Sequence, residues 1–537
     1  MDIVIRWSKL QLTLPPIPSG EKLMSAHSRR RFLSDVGNGM LVAGIGSGLA
    51  AELGISTAFA DGDTDALTFG SLEPLVDLMQ QTPVEKLQPA LVQKIKGGTS
   101  LQTLIAAGAL ANARSFAGQD YVGFHTMMAL MPAWRIANEL PQRDQPLPVL
   151  KVLYRNTARI HEAGGGERLQ RVEPEKLANT RHGGKQLMTA MCSGDMAAAE
   201  QTFAALAQGD RLSAYNDLQH LVQDEPDVHR VTLAWRAWDV MQLVGYEHAH
   251  TLLRQSVRYC VEREQDRLKR KRPEPALRKL TPRLLDEYKL LSKKTGTRRA
   301  DSAWIERLAQ TIFAGTREQA AEATAAALAE GFSPEDIGEA MSLAGTLLVL
   351  HDPGRPEKWA SPGKPKDSVH GASIGVHASD AANAWRNIAR VTNHRNRVCS
   401  LIVGAWHTAG QTGYITDTPF PFDVDAIQSK KLGADALLSE LNGAVQAKDQ
   451  AKAMAVVKSW AIAGHPPKPV FDCLRRYAVS EDGALHAEKY FRTVTEEFPI
   501  TREEFRWRHL VALARVSASE FGWPAPGREQ ARELLQA

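Results

Sequence analysis

Residues 331–350 read GFSPEDIGEAMSLAGTLLVL, and this stretch decides the fold class. Ser333 comes before a proline and two acidic residues. This is the composition of a helix start, because serine caps free N–H groups, proline fits the first turn and acids favour the positive end of the helix dipole. Ile337, Met341 and Ala344 follow at helical spacing. The stretch therefore predicts a helix with a buried apolar face.

A similar stretch lies 233 residues earlier, where residues 98–116 read GTSLQTLIAAGALANARSF. The matched apolar positions are Leu104 and Ile337, Ala107 and Ala340, Leu110 and Leu343, and Ala111 and Ala344. Three further segments match in the same order: Gly123-Phe124-His125 with Gly375-Val376-His377, residues 190–199 with 444–453, and residues 245–254 with 483–492. Ordered matches with changing offsets predict an internal duplication.

Apolar residues recur with helical period throughout, and alternating strand patterns are nearly absent. We expect an all-α protein made of two homologous helical halves in tandem, residues 61–260 and 305–537. Residues 261–304 are rich in Lys and Arg and form a basic connector that we expect to lie outside both cores. Residues 1–60 precede these parts as a cleavable signal peptide.

The signal peptide is predicted from three features in order. Residues 28–33, SRRRFL, match the twin-arginine export signal, a moderately apolar stretch covers residues 40–51, and Ala58-Phe59-Ala60 is a small-x-small cleavage pattern. The apolar stretch is shorter than the roughly 20 residues that span a bilayer, so we expect no stable membrane span in the mature chain. We expect twin-arginine export to the periplasm or outside the cell, with Met24 as an alternative start.

Composition limits the partners. The chain has 537 residues, with 65 Lys and Arg against 61 Asp and Glu, which is too balanced to favour nucleic acid as a partner. The four cysteines have no C-x-x-C spacing, which excludes a thioredoxin motif and c-type haem attachment. The expected partners are a small-molecule substrate and the twin-arginine export machinery.

Four histidines are the candidate catalytic residues, because His125 and His377 match between the halves and so do His248 and His486. Imidazole can act as a general base, a hydrogen-bond donor or a metal ligand. We expect the two histidines of each half to meet in one site per half. The cofactor is left open, with a metal ion as one possibility. The further candidate ligands are Asp120, His161, Glu162, His250, His370, Asp380, His407 and Glu488.

Several helical segments resemble a known family. Residues 376–386, VHASDAANAWR, with residues 404–409, GAWHTA, and 485–489, LHAEK, resemble the questin oxidase-like family, and Phe124-His125 is similar to its F-H-x-[LI]-I element. The resemblance implies a helical fold and, in the fungal members, oxygen-dependent Baeyer–Villiger-type opening of an anthraquinone ring with NADPH. Residues 331–337 also resemble a helix start of carboxymuconolactone decarboxylase-like proteins, whose redox C-x-x-C is missing here.

Two functions are open at this point. The first is an exported oxidoreductase-like enzyme that acts on a small cyclic or aromatic substrate at histidine-lined sites. The second is a non-enzymatic helical binding scaffold of the cell envelope. Histidines that form a site should meet in the fold, whereas those of a scaffold should scatter.

The export signal gives a first testable prediction. Replacing Arg29 and Arg30 with Lys should hold the precursor in the cytoplasm, because the planar guanidinium group and the compact ammonium group are not interchangeable in recognition. Cell fractionation followed by immunoblotting measures the distribution. Normal export of the double variant would contradict the twin-arginine assignment.

Overall fold

The described part of the protein is helical. A computed structural model describes residues 67–163, 169–177, 182–369 and 373–536, so the predicted signal peptide lies outside the described residues. These residues contain α-helices, short 3₁₀ helices and no β-strand. The prediction of an all-α protein is confirmed. None of the described helices is long and apolar enough to cross a membrane.

Eleven α-helices precede residue 288 in the described ranges. They are α1 Glu73–Gln81, α2 Val84–Lys96, α3 Leu101–Phe116, α4 Tyr121–Asn138, α5 Pro146–Glu162, α6 Gly183–Cys192, α7 Met196–Ala207, α8 Arg211–Val222, α9 Val228–Val244, α10 Ala249–Lys269 and α11 Leu277–Glu287.

Twelve more follow among the described residues. They are α12 Ser302–Ala314, α13 Arg317–Ala329, α14 Pro334–Leu350, α15 Ile374–Val391, α16 His394–Ala409, α17 Val424–Gln428, α18 Ala434–Gln446, α19 Gln450–Ile462, α20 Lys468–Ser480, α21 His486–Glu497, α22 Glu503–Glu520 and α23 Arg528–Leu535.

The helix start predicted at residue 333 forms as expected. The Ser333 side chain accepts a hydrogen bond from the Glu335 N–H at 3.2 Å, and Gly331 supplies a turn with φ +82°, a conformation that favours glycine. Ser100 caps α3 in the same way, accepting from the Thr103 N–H at 3.1 Å. Both helices are buried along most of their length, which agrees with their apolar composition.

The helices recur in order along the chain. Helices α13 and α14 begin 233 residues after α2 and α3. Their neighbours recur too, because α3 packs against α4 and α5 as α14 packs against α15 and α16, and α10 covers α7 as α22 covers α19. This is the arrangement that the predicted duplication requires. The duplication itself stays a prediction from the sequence.

The packing changes one of the matches made from sequence. Helix α9 packs against α4, α15 and α10, and α21 packs against α15, α4 and α22, so α21 has the place in the second series that α9 has in the first. His486 begins α21 and His229 is the second residue of α9. In packing, His486 therefore corresponds to His229 rather than to His248, its match in the sequence.

The apolar core does not follow the predicted boundary between the halves. The larger cluster combines residues of α1–α10 with residues of α11–α16, and the smaller one is built mainly from α17–α22. The described helices belong to one compact unit. Within the basic connector, Leu277 and Leu284 of α11 are buried in the larger cluster. The expectation that this segment lies outside the cores is wrong, because its leucines recur at helical spacing beneath the charged face.

A buried ion pair joins α5 to α21. Lys151 Nζ lies 2.8 Å from Glu488 Oε2, and both side chains are 2% exposed. The ammonium also donates to the carbonyl oxygens of Ala478 at 3.0 Å and Glu481 at 2.6 Å. All three of its N–H groups are therefore used, which is the condition under which a buried ammonium is tolerated.

This pair gives a stability prediction. The variant Lys151→Met should lower the free energy of unfolding by about 3–5 kcal/mol, because the Glu488 carboxylate stays buried without its partner. The double variant Lys151→Met with Glu488→Leu should recover most of the loss. Urea unfolding followed by circular dichroism measures both effects.

The matched control is an exposed pair. Lys468, with a side chain that is 80% exposed, pairs with Asp472 one helical turn away. Lys468→Met should cost less than about 1 kcal/mol. Equal losses in the Lys151 and Lys468 variants would show that burial does not decide the effect.

Candidate functional site

Four helices pack around one point, and each supplies a histidine close to its N-terminal end. Helix α4 packs against α9, α9 against α15, α15 against α21, and α21 again against α4. His125 is the fifth residue of α4, His229 the second of α9, His377 the fourth of α15 and His486 the first of α21. We call these residues the four-histidine cluster.

Local sequence explains why the helices begin here. Asp120 caps α4 by accepting from the Gly123 N–H at 2.6 Å, and Ser373 caps α15 by accepting from the Val376 N–H at 3.3 Å. Ser373 is thus at a loop-to-helix junction. Helix α21 follows Ala484 and Leu485, which have φ values of +47° and +64°. These left-handed residues turn the chain sharply before His486.

The imidazole rings of the cluster contact one another in a closed circuit. The centroid of His125 lies 4.9 Å from that of His229 and 5.2 Å from that of His486. The centroid of His377 lies 5.8 Å from that of His229 and 5.1 Å from that of His486. The circuit therefore joins residues from widely separated parts of the chain.

An oxygen atom holds the Nδ1 atom in three of the four rings. His125 Nδ1 lies 2.5 Å from the carbonyl oxygen of Tyr121, and His486 Nδ1 lies 3.1 Å from that of Ala484. His229 Nδ1 lies 3.5 Å from Asp227 Oδ1. Carbonyl and carboxylate oxygens only accept hydrogen bonds, so Nδ1 carries the proton in His125 and His486, and the Asp227 oxygen favours the same form of His229. In a neutral ring the Nε2 atom then has the lone pair.

One contact joins two Nε2 atoms directly. His377 Nε2 lies 3.0 Å from His486 Nε2. Because His486 in its neutral form has its proton on Nδ1, its Nε2 accepts and His377 Nε2–H donates; this proton assignment follows from the hydrogen-bond partners. The contact ties α15 to α21 inside the cluster.

Aromatic side chains form the wall of the cluster toward solvent. The Tyr121 ring packs 4.7 Å from the ring of His125 and 4.8 Å from that of His229, and Tyr121 is 59% exposed. Phe124 lies beneath it and stacks on His125 at 5.4 Å. His125 and His486 are buried. An exposed aromatic ring therefore lies directly against two histidines of the cluster.

Burial determines the charge of the central groups. Burial lowers the pKa of His125 well below its ordinary value, and the positive charge of Lys489 acts in the same direction. Burial also lowers the pKa of Lys489 to about 8 and raises the pKa of Asp380 to about 6. Thr493 Oγ1 donates to Asp380 Oδ1 at 2.6 Å. Because its pKa is lowered, His125 is neutral at neutral pH, which is the form that a base or a ligand needs.

Three of the four histidines chosen from sequence meet in the cluster, and one does not. Within the described part of the chain, His125, His377 and His486 come together in one site rather than in one site per half. His248 packs its ring 5.6 Å from that of Phe69, and in the described ranges no ring contact or hydrogen bond joins it to the other three. The sequence did not single out His229, because no match between the halves marks it. Its only local signal is the preceding Asp227, a helix cap.

The other candidate ligands lie in different surroundings. His407 Nδ1 accepts from Trp385 Nε1 at 3.2 Å, and His250 stacks on Phe203 at 5.8 Å. His370 lies outside the described residues. As the side chains stand, no group of three or more His, Cys, Asp or Glu residues in the described part of the chain could hold a metal ion.

One surface cavity is at a different place. It has a volume of about 600 Å³ and is lined by Tyr154, Pro524, Pro526, Arg528 and neighbouring residues. None of its lining residues belongs to the four-histidine cluster. The arrangement of the side chains, and not this cavity, is therefore the reason to regard the four-histidine cluster as the candidate site.

Comparisons with protein families, with characterised proteins and with solved structures find no match to this chain. The chemistry of the site is therefore inferred from the arrangement of its side chains.

The neutral state of His125 predicts a pH effect on stability. The folded protein keeps His125 unprotonated, whereas the unfolded chain binds a proton below about pH 6.5, so stability falls as the pH drops through that value. His125→Gln should reduce the stability loss between pH 7.5 and pH 5.0 by about 2 kcal/mol. Urea unfolding at both pH values measures the difference. The control is His182→Gln at an exposed position. An undiminished loss in His125→Gln would contradict this account.

Proposed function

We propose that this protein is an exported oxidoreductase-like enzyme that acts on a small cyclic or aromatic substrate at the four-histidine cluster. One observation carries the proposal: four helices bring one histidine each to a common point, and oxygen atoms hold three of the four Nδ1 atoms. In their neutral forms His125 and His229 present an Nε2 lone pair, whereas that of His486 accepts from His377.

The cost of the arrangement supports a catalytic role. His229 Nε2 is buried and has no hydrogen-bond partner. A buried polar atom without a partner costs about 1–3 kcal/mol, which packing alone gives no reason to keep. Such costs are typical of functional sites, where a group is held ready for a ligand or a proton.

The surroundings favour a ring-shaped substrate. Tyr121 is exposed and lies against His125 and His229, so a ligand that approaches from solvent meets an aromatic face beside two imidazoles. Planar rings pack well against such a face. The resemblance of residues 376–386 and 485–489 to the questin oxidase-like family points to the same substrate class and to oxidation by oxygen.

A purely binding scaffold fits this arrangement less well. Scaffold histidines are expected to scatter, whereas His125, His377 and His486 meet in one place although they are far apart in the chain. Export by the twin-arginine route remains part of the proposal on the strength of residues 28–33. That route carries folded proteins, so it would deliver a site already assembled from both ends of the chain.

A metal-bound form of the cluster is the second candidate, and the ring spacing favours it. An ion about 2.0–2.1 Å from the Nε2 atoms of two neighbouring histidines places their ring centres roughly 4.5–5.5 Å apart. Three of the four observed centroid distances, 4.9, 5.1 and 5.2 Å, lie in this range, and the fourth, 5.8 Å between His229 and His377, exceeds it. Oxygen atoms on Nδ1 are also the usual second partners of metal-binding histidines. Binding would require His377 and His486 to turn apart, since their Nε2 atoms now contact each other.

Oxygen consumption tests the enzymatic proposal. The wild-type protein should consume oxygen when given an anthraquinone and NADPH, with one oxygen atom entering the ring and the other leaving as water. His377→Ala and His486→Ala should each lower the rate at least about 100-fold, because general acid–base groups contribute that much. An oxygen electrode and chromatography of the product measure the reaction.

The matched control is His248→Ala, which removes the histidine that lies against Phe69. This variant should keep the wild-type rate, and unfolding curves should show that the cluster variants remain folded. No oxygen uptake by the wild type would contradict the substrate class. An equal loss in His248→Ala and His377→Ala would contradict the role of the cluster.

Elemental analysis by mass spectrometry tests the second candidate. Protein purified from an export-competent host should contain about one transition-metal ion per chain, with the content lost in the double variant His377→Ala, His486→Ala and kept in His248→Ala. Metal-free wild-type protein with full activity would eliminate the metal-bound form and leave the acid–base form.

A further inference from the structure

Asp227 occupies a special position beside the cluster. It caps α9 by accepting from the backbone N–H groups of His229 at 2.8 Å and Arg230 at 3.1 Å. The Tyr259 hydroxyl lies 3.1 and 3.2 Å from its two carboxylate oxygens and donates to them. Asp227 Oδ1 also lies 3.5 Å from His229 Nδ1. One carboxylate therefore joins the backbone of α9, the side chain of α10 and an imidazole.

The groups around Asp227 stabilise its charged carboxylate form. Burial acts to raise the pKa of Asp227, but hydrogen bonds from His229 and Arg230 and the positive charge of Arg230 outweigh burial, and the pKa lies below its ordinary value. The side chain is a carboxylate at neutral pH, and its oxygens can only accept hydrogen bonds.

His229 differs from its counterpart in packing. The Nδ1 of His486 faces the carbonyl oxygen of Ala484, two residues before it, and the Nδ1 of His229 faces the carboxylate of Asp227, also two residues before it. A carbonyl fixes the orientation of the ring, whereas a carboxylate both fixes it and stabilises a positive charge on the imidazole. Among the rings whose Nδ1 is held by a described oxygen, His229 is the one with an anionic partner.

The ring of His229 also lies against the cluster. Its ring contacts those of His125 and His377, and its side chain is only 13% exposed. The Nε2 atom is buried without a hydrogen-bond partner. This atom is free to take a proton from a bound molecule.

We propose that Asp227, held in turn by Tyr259, is the positioning residue that fixes His229 with its proton on Nδ1 and makes His229 Nε2 the proton acceptor of the site. The proposal rests on the function proposed above. In the step itself, the bond between hydrogen and an acidic oxygen or carbon of the substrate breaks, the proton forms a bond to Nε2, and the electron pair stays on the substrate. Asp227 balances the resulting imidazolium charge, as an aspartate does in a catalytic triad.

Nuclear magnetic resonance of ¹⁵N-histidine-labelled protein tests the proposal directly, with the His229 signals assigned by their loss in His229→Gln. Long-range ¹H–¹⁵N spectra identify which ring nitrogen carries the proton. The wild-type protein should show His229 with its proton on Nδ1. Asp227→Asn should shift this population toward Nε2–H, because the amide can turn its NH₂ group toward the ring. Asparagine caps helices as well as aspartate, so α9 should stay intact.

Two further variants complete the experiment. Tyr259→Phe removes the hydroxyl that holds Asp227 and should shift the His229 tautomer population toward Nε2–H by a smaller amount. This variant still tests the proposal if Asp227→Asn fails to fold. Asp195→Asn is the matched control, because Asp195 caps α7 by accepting from the Ala198 N–H at 3.0 Å and takes no part in the cluster. It should leave the His229 signals unchanged.

Kinetics then separate positioning from folding. With a substrate in hand, Asp227→Asn should lower kcat by about 10- to 100-fold with little change in KM, as loss of an orienting partner does. The nuclear magnetic resonance measurement needs no substrate, so it stands even if the proposed reaction fails. A wild-type His229 with its proton on Nε2, or an unchanged tautomer in both Asp227→Asn and Tyr259→Phe, would overturn the proposal.

Discussion

The meeting of four helix N-termini at one point is the constraint on which the rest of the structure depends. Helices α4, α9, α15 and α21 must all begin there, and each needs its own start signal. Asp120, Asp227 and Ser373 supply side-chain caps for three of them, and Ala484 with Leu485 turns the chain into the fourth. The positive ends of four helix dipoles then face the imidazoles, which favours the neutral ring that a base or a ligand requires.

The fold class and most of the site were within reach of the sequence, because they depend on local signals. Helix starts such as Ser333 are set by a few neighbouring residues, and the histidines of α4, α15 and α21 drew attention because they recur in matched segments. His229 was missed for a physical reason. Gly245 precedes one short 3₁₀ turn and Gly483 begins another, so the sequence match followed these turns and placed His486 against His248. The correspondence between α9 and α21 depends on which helices each of them contacts, and these contacts are known only from the tertiary structure.

The basic connector illustrates a second limit. The segment is rich in lysine and arginine, and because a charged segment is usually solvated, we expected it to lie outside the cores. A helix has two faces, however, and Leu277, Leu280 and Leu284 bury one face of α11 in the core while the charged side chains remain outside. The prediction of one histidine site in each half was also wrong, because it treated each half separately. One site can draw on both parts of the chain, and the cluster takes two histidines from residues before 260 and two from residues after 305.

The ion pair between Lys151 and Glu488 has a consequence for biosynthesis. The two residues lie 337 positions apart, and at about 5 to 20 residues per second the ribosome needs roughly 15 to 70 seconds to pass from one to the other. Until then the surfaces of α4, α5 and α9 that α21 later covers face solvent on the nascent chain, and exposed apolar surface of this kind attracts chaperones. A chain that stops before residue 486 keeps those surfaces open and lacks the fourth histidine of the cluster, so the cluster can form only after most of the chain has been made.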